Sequence, residues 1–440
     1  MLFTVVVTVF IVTAVTADPN VYQCSGSTMT PDERQSVLTM YNIARLKAAR
    51  GFYFRTGTKL PTAKNMRALT WDCELEKLAE KSVHPCGDRP IPVAYYANNF
   101  RYMRASIPNK LSALEPPVQP TEDPSGGFTT QSSSVVYNGN PIYKNYANIM
   151  RSDTKKIGCS VRVCAADGVT VQAGVCVFDA PEMEKGGKVY EVGKPCQTSE
   201  ECPHGDDVCV GLALCYRNKF AKRSLHLHNK RRSELALGNV KYKSGKNFET
   251  AMLMYEMALS FDLEAKALKA ALNWERDPTG WSSQPKFSSN YIWTSRIVIE
   301  NAVDEIDALE QALKTWWNQR KLVDDHMKKV LLEECAFTQP AVMEFVQMAT
   351  AQNDFVGCAA DKRGNQYNVV CKYYVSIPAP TPEESPVVLY FPGEPCLSPC
   401  YNTNRKCSKG MCPALDGHTY LVFTHMDSSL YPYSFDFLSL

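Results

Sequence analysis

The chain is 440 residues long, roughly three times a typical domain, so it should fold as two or three units. Its 48 Lys+Arg against 46 Asp+Glu leave a net charge of +2, which argues against a globally basic nucleic-acid protein and an acidic disordered chain. A hydrophobic fraction of 45% excludes fibrous and low-complexity classes, and 17 cysteines point to an oxidising compartment.

Residues Leu2 to Val15 are almost continuously apolar and lead through Ala17 to Asp18-Pro19. The run is too short to span a bilayer, and a small residue suits a cleavage site, so residues 1–17 are predicted to be a signal peptide. The expected mature chain is secreted and extracellular, with no stable membrane insertion and with disulfides as the default state of its cysteines.

A first helix is predicted from Thr30-Pro31-Asp32-Glu33, which offers an N-cap, a proline at the first helical position and a capping-box glutamate. Val37, Tyr41, Ala44 and Ala48 then form one stripe, and Gly51 supplies the stop. Strands are predicted over 158–164 and 170–178, and again over 367–375. Helices first and a strand pair last imply a mixed layered fold, with helices on a small sheet.

The chain repeats itself once. Tyr41-Asn42-Ile43-Ala44-Arg45 is matched by His228-Asn229-Lys230-Arg231-Arg232, and Gly158-Cys159 by Gly357-Cys358. Val175-Cys176 pairs with Val370-Cys371, and Gly193-Lys194-Pro195-Cys196 with Gly393-Glu394-Pro395-Cys396. The order is kept and the offset runs only from 187 to 200, which implies a duplicated module. Behind the copies lie Cys196, Cys202, Cys209 and Cys215, then Cys396, Cys400, Cys407 and Cys412. Neither set has the tight spacing that favours tetrahedral zinc, so both read as disulfide knots too small to fold on a core alone.

Thr70-Trp71-Asp72-Cys73-Glu74-Leu75-Glu76, the two Gly-Cys boxes, Val370-Cys371-Lys372-Tyr373-Tyr374 and the Gly-x-Pro-Cys hinges together resemble the CAP superfamily (cysteine-rich secretory proteins, antigen 5, plant pathogenesis-related 1 proteins). The chain is most similar to the two-domain activation-associated secreted proteins of parasitic nematodes, also called venom-allergen-like proteins. The resemblance implies an α+β chain of two α-β-α sandwich domains (SCP domains), each followed by a small disulfide-knotted hinge. The expected boundaries are a first CAP domain over 18–190, a hinge over 191–216, a second CAP domain over 217–385, a C-terminal hinge over 386–417 and a tail over 418–440.

Many members of the superfamily carry two His and two Glu in a central cleft, a donor set suited to a divalent metal. Carried over residue by residue, the first module keeps His84 but places Asn98 at the first Glu and Asn145 at the last His. The helix bearing the second Glu gives way to a Pro-rich stretch over 116–127. In the second module the first His region reads Ala271-Leu272-Asn273-Trp274, the first Glu position is Ser289, the second is Gln319, and the last His position is Glu344. No full tetrad survives, so no metal, cofactor or catalytic residue is expected. His226 and His228 are two apart and cannot share an ion from one helix face.

The first module holds Cys24, Cys73, Cys86, Cys159, Cys164 and Cys176; the second holds Cys335, Cys358 and Cys371. Leu263 is taken as the counterpart of Cys73, so one bridge is lost and one of Cys335, Cys358 and Cys371 is expected to be unpaired, buried in a monomer or linking a dimer. Between Arg217 and Lys246 stand ten Lys or Arg and one acid, Glu234, either a solvated helix face or a contact for anionic glycans. No glycosylation sequon is present. The expected function is non-enzymatic and host-interacting, immunomodulatory in kind, through a host protein or a lipid or sterol ligand, with no nucleic acid. A residual hydrolase or protease-like activity, or a disulfide-rigid antigenic scaffold, are the alternatives.

Overall fold

A computed structural model describes residues 24–51, 60–64, 66–83, 87–104, 109–116, 126–166, 169–274, 292–334, 340–351, 353–375, 388–397, 400 and 406–414. The predicted signal peptide, the tail over 418–440, most of the Pro-rich stretch, and His84, Cys86, Ser289 and Cys335 lie outside the described residues.

Helix α1 (Pro31–Ala49) begins as its sequence dictates: the Thr30 side chain accepts from the Glu33 amide while Glu33 accepts from the Thr30 amide. It ends at Gly51, whose φ of 74° lets its amide reach back to Ala48 O at 3.0 Å. After it come β1 (Ala63–Lys64), β2 (Thr70–Trp71), α2 (Cys73–Val83), β3 (Asn98–Arg104), β4 (Phe128–Gln131), β5 (Ser134–Tyr137) and α3 (Lys144–Met150). Strands β6 (Lys156–Ala166), β7 (Val169–Phe178) and β8 (Lys188–Val192) complete the first module. Its main sheet runs β2-β6-β7-β3, and a second small sheet runs β1-β8-β5-β4.

The second module opens in the same way, with α4 (Lys219–Ala236), β11 (Ala258–Leu259), α5 (Phe261–Leu272) and β12 (Ile292–Glu300), and has helices where the first has β4 and β5. Then follow α6 (Glu305–Asn318), α7 (Asp325–Lys329), α8 (Met343–Ala349), β13 (Asn353–Arg363) and β14 (Gln366–Val375). The hinge strands β9 (Asp207–Val210) and β10 (Leu214–Arg217) do not stand apart. They extend the second sheet to six strands, in the order β10-β9-β11-β13-β14-β12.

One side chain in each module ties helix, sheet and loop together. Arg45 on α1 is fully buried and donates to the carbonyls of Arg67, Ile149, Arg151 and Thr154. Arg232 on α4 is equally buried and donates to Tyr255 O at 3.0 and 2.8 Å, Met348 O at 3.1 Å, Thr350 O at 2.7 Å and Ala351 O at 3.2 Å. Both guanidiniums thus cap the C-terminal ends of α3 and α8, where carbonyls lack helical partners and a positive charge is favoured. Beside each arginine an asparagine pairs with a loop residue: Asn42 exchanges two bonds with Leu69, and Asn229 exchanges two with Met257.

Two glycines set how closely helix and sheet approach. A Cβ on Gly158 would stand 2.2 Å from the Glu76 nitrogen, and one on Gly357 would stand 2.2 Å from the Glu264 nitrogen. The same contact corrects the pairing of Cys73 with Leu263. Gly158 abuts Leu75 and Glu76, while Gly357 abuts Leu263 and Glu264, so Leu263 matches Leu75 and the counterpart of Cys73 is Phe261. Asp72 and Ser260 hold the equivalent N-cap positions, and both residue types cap well, which is why matching aspartate to aspartate shifted the frame.

Cys24 bonds to Cys73, Cys159 to Cys176 and Cys358 to Cys371, the last two as directly opposed residues on adjacent strands. Cys164 is bonded as well. The knots close as Cys196–Cys209 with Cys202–Cys215, and Cys396–Cys407 with Cys400–Cys412. Each knot is stitched to its own module by paired backbone bonds. Cys215 exchanges them with Met66 and Ala68, and Cys412 with Met254 and Glu256. The first knot also reaches forward, through Gly211 N to Leu259 O at 3.1 Å.

The copies differ at one buried carboxylate. Glu76 meets Arg34 at 2.7 and 3.1 Å and accepts from Trp71 Nε1 at 2.7 Å. Its counterpart Glu264 has Ala221 where Arg34 stands, and it accepts from Asn218 Nδ2 at 3.2 Å. Burial without a cation pushes its carboxyl up to about 8, the Tyr216 hydroxyl pulling the other way.

Two outcomes follow. Arg232→Met removes the guanidinium donor from four buried carbonyls, of which Thr350 O keeps the Asn353 amide, and should cost about 3–5 kcal/mol in urea unfolding. Arg223→Met, on a half-exposed pair with Glu310, should cost less than about 1 kcal/mol. Glu264 carries a folded pKa above its unfolded one, so its contribution is full below the ordinary carboxylate range and is lost as pH rises toward about 8. Glu264→Gln should therefore raise the melting temperature at pH 8 and flatten its fall between about pH 5 and 8. Glu76→Gln, which orphans Arg34, should lower it.

Candidate functional site

The positions that correspond to the cleft tetrad fall on β3, on the C-terminal end of α6, and on the first turns of α3 and α8. In the first module Asn98 opens β3 opposite Val177, and its neighbour Asn99 is buried opposite Cys176. Asn99 Nδ2 approaches the backbone oxygen of Asn145 at 3.4 Å, so the start of β3 touches the first turn of α3. Tyr41, on the core face of α1, bonds to the Asn99 side chain, and burial drives its hydroxyl well above the usual phenol range. An amide-bearing strand thus meets an amide-bearing helix, and two side-chain carboxamides carry no charge to offer a cation.

The second cleft is better defined. Gln319 caps α6, and Glu344 is the second residue of α8. Gln319 Nε2 donates to Glu344 Oε2 at 2.6 Å, while Gln319 Oε1 accepts from the Phe345 amide at 3.1 Å. The amide can adopt only this orientation, since a flip would set an NH2 against the Phe345 N–H. Of the tetrad positions placed from sequence, these two meet. The β12 position differs from the one expected. In register with the strand disulfides, the residues opposite Lys372 and Cys371 are Thr294 and Ser295, so Thr294 stands where Asn98 stands in the first copy. Ser289, assigned to that place, lies outside the described residues.

Behind the pair runs a buried polar chain that sequence reasoning missed. Ser295 Oγ donates to Gln347 Oε1 at 2.5 Å. His228 Nδ1 lies 2.8 Å from Ser224 O, and a carbonyl can only accept, so Nδ1 bears the proton. Nε2, 3.0 Å from the Tyr373 hydroxyl, is then an acceptor, and the ring is neutral. Burial holds its pKa down to about 3, with Arg231 and Arg232 acting the same way and the Ser224 carbonyl opposing. The signal was available in the repeat: His228 aligns with Tyr41, and each is the polar core residue one helical turn before the capping arginine.

The chemistry of this arrangement is hydrogen bonding. Glu344 is the one carboxylate among the described tetrad positions, and an amide donor already occupies it. No imidazole among the described residues bonds to it, and His228 is committed to two internal bonds.

The basic stretch 217–246 presents no single face. Arg232 is the buried cap, Arg223 pairs with Glu310 at 2.7 Å, Arg217 lies 3.7 Å from Asp207 and Lys246 lies 3.8 Å from Asp325. Lys219, Lys230, Lys241 and Lys243 remain exposed. Exposed apolar side chains instead stand close in sequence to the first-cleft positions. Tyr95 is 91% exposed and adopts φ 68°, a conformation bulky residues rarely take; Ile142 is 64% exposed. Tyr95 and Tyr96 lie three and two residues before Asn98, and Ile142 lies three residues before Asn145. A cavity under Phe128, Tyr146, Met150, Val189 and Tyr190 measures about 10 Å³, room for about one water.

The His228 geometry gives a prediction. Its folded pKa lies below its unfolded one, so the ring destabilises the fold only as pH falls from about 6.5 toward 3. Its NMR resonances should stay flat from pH 8 to 5, and a midpoint near 6.5 would contradict the buried, neutral assignment.

Comparison with known proteins bears directly on this architecture. The profile of the Cysteine-rich secretory protein family (CAP) matches residues 38–178 and 225–373, once in each module. Ancylostoma secreted protein from Ancylostoma caninum is 25% identical over 422 residues, covering 89% of this chain and 94% of that protein. Hookworm platelet inhibitor 1 from the same organism is 26% identical over 189 residues, 41% of this chain and 83% of that protein. Among solved structures, that of Na-ASP-1 aligns over 89% of this chain and all of its own at 22% identity, with a TM-score of 0.36. The family profile, matched twice in order over most of the chain, shows that this protein belongs to the CAP family in the two-domain form found in nematodes.

Proposed function

We propose that this chain is an exported CAP protein that acts on its host by binding a protein, without catalysis and without a metal. The observation that carries the reading is the Gln319–Glu344 pair, in which an amide of fixed orientation occupies the one carboxylate of the second cleft. Asn98 and Asn145 put neutral hydrogen-bonding side chains at the corresponding positions of the first cleft. Tyr95, Tyr96 and Ile142 beside that cleft are the kind of exposed aromatic and aliphatic anchors around which protein interfaces concentrate their energy. One relative bears the name of a platelet inhibitor, so mammalian blood cells are a suitable first surface to test.

The experiment is binding of the intact chain to washed mammalian platelets and leukocytes, with and without EDTA, alongside native mass spectrometry after incubation with cholesterol. Saturable, EDTA-insensitive cell binding that falls at least tenfold in the Tyr95→Ser/Ile142→Ser variant is expected. A stoichiometric sterol adduct would replace this reading with a lipid carrier. EDTA-sensitive cleavage of a peptide or ester substrate would replace it with an enzyme.

A further inference from the structure

The second module's sheet ends on β12, and no strand lies beyond it among the described residues. That edge is long and unguarded. Its nine residues hold no proline, glycine or lysine, and they pair with β14 without a bulge. Edge strands ordinarily carry such devices, because their outward N–H and C=O groups invite another strand. Apart from the ladder to β14, no backbone bond among the described residues reaches Ile297, Val298 or Ile299. Helix α5 packs chiefly on β13 and β14, and Arg296, Ile297 and Val298 on the outermost strand stay partly exposed.

The charges of this edge are self-complementary. Arg296 and Glu300 are the only charged residues of β12, four apart and therefore on one face of the sheet. A two-fold axis at Val298 would set Arg296 opposite the partner's Glu300 twice, Ile297 opposite the partner's Ile299 twice, and Val298 opposite itself. An axis at Arg296 would overlap all nine residues but would set Arg296 against itself, and like charges directly opposite are destabilising. The edge strands β3 and β10 lack this match: β3 carries Arg101 and Arg104 with no acid, and β10 has four residues.

We propose that β12 is a dimerisation edge, pairing antiparallel with β12 of a second copy of this chain in register about Val298. Backbone bonds along 296–300 and the isoleucine and valine contacts supply the affinity. The exposed Arg–Glu pairs set the register more than the strength. Both charges are already held in place on the strand. Arg296 donates to Asn368 Oδ1 at 2.9 Å and to Asn273 O at 2.7 Å, and Glu300 accepts from Gln366 Nε2 at 2.8 Å. So short an overlap makes the dimer concentration-dependent. It requires no cysteine bridge and does not depend on what either cleft binds.

The test is sedimentation velocity of the full chain over a range of micromolar concentrations, with melting temperatures recorded beside it. Wild type should dimerise reversibly, with no covalent dimer on a non-reducing gel. Val298→Lys, which sets two ammonium groups face to face, should weaken association about tenfold or more at an unchanged melting temperature. Glu300→Arg should weaken it as well, and Arg296→Glu/Glu300→Arg, which exchanges the two charges, should recover it. A cross-link reads the register separately. Val298→Cys should give a covalent dimer on mild oxidation, whereas Thr294→Cys, about 26 Å from its counterpart in this register, should not. A wild type that stays monomeric or dimerises only through a disulfide would overturn the proposal. So would a dimer equally strong in Val298→Lys, or equal cross-linking by the two cysteine variants.

Discussion

The frame of each module hangs on a buried guanidinium that has no carboxylate partner. Arg45 and Arg232 lie out of solvent and spend their donors on backbone carbonyls, at the end of a short helix and in the loop that crosses beside it. Carbonyls at a helix end cannot be satisfied within the helix, and in the interior water cannot reach them. One planar cation with five donors meets that need for several of them at once. The first helix of the module, the tetrad-bearing helix and the loop before the sheet therefore hold fixed positions relative to one another. Burial lowers both guanidiniums, to about 10 and about 9, which leaves them charged at physiological pH.

On that frame the two copies have diverged where charge is costly. The first keeps Arg34 with Glu76; the second has Ala221 and a carboxyl, Glu264, raised to about 8. The clefts carry Asn98, Asn145, Thr294 and Gln319 at positions where the superfamily resemblance implies carboxylates or imidazoles, while Glu344 puts a carboxylate where it implies an imidazole. Neutral hydrogen-bonding groups cost less to bury than unpaired charges. The knots then join the copies into one body: the strands of the first knot extend the second module's sheet, and Asp207 in that knot receives Arg67 from the first module.

Much of this was legible in the sequence because local rules and global fold agree. The capping box at Thr30, the stop at Gly51 and the strand pairs were readable from residue type and spacing alone. The repeat with its Gly-Cys boxes aligned the cysteines of the two copies, but the pairing of Cys159 with Cys176 and of Cys358 with Cys371 comes from the strand register. Less legible was anything that depended on register. Two residues separate Phe261 from Leu263, and Asp and Ser cap equally well, so only the contact at Gly357 decides the frame. The Thr294 position likewise follows from strand pairing with Lys372, across a connection whose length the sequence leaves open. The meeting of Gln319 with Glu344 and the neutrality of His228 are tertiary facts. The residues had been singled out, but no spacing rule brings a helix end on α6 to the first turn of α8.

The account stands or falls on the clefts being hydrogen-bonded recognition surfaces rather than metal sites. The direct measurement is anomalous diffraction at the zinc edge from crystals of the full chain grown with excess zinc. No peak is predicted within bonding distance of Asn98 and Asn145, or of Gln319 and Glu344. A strong peak in either cleft, with a side chain about 2 Å away, would contradict the account and return both modules to metal chemistry.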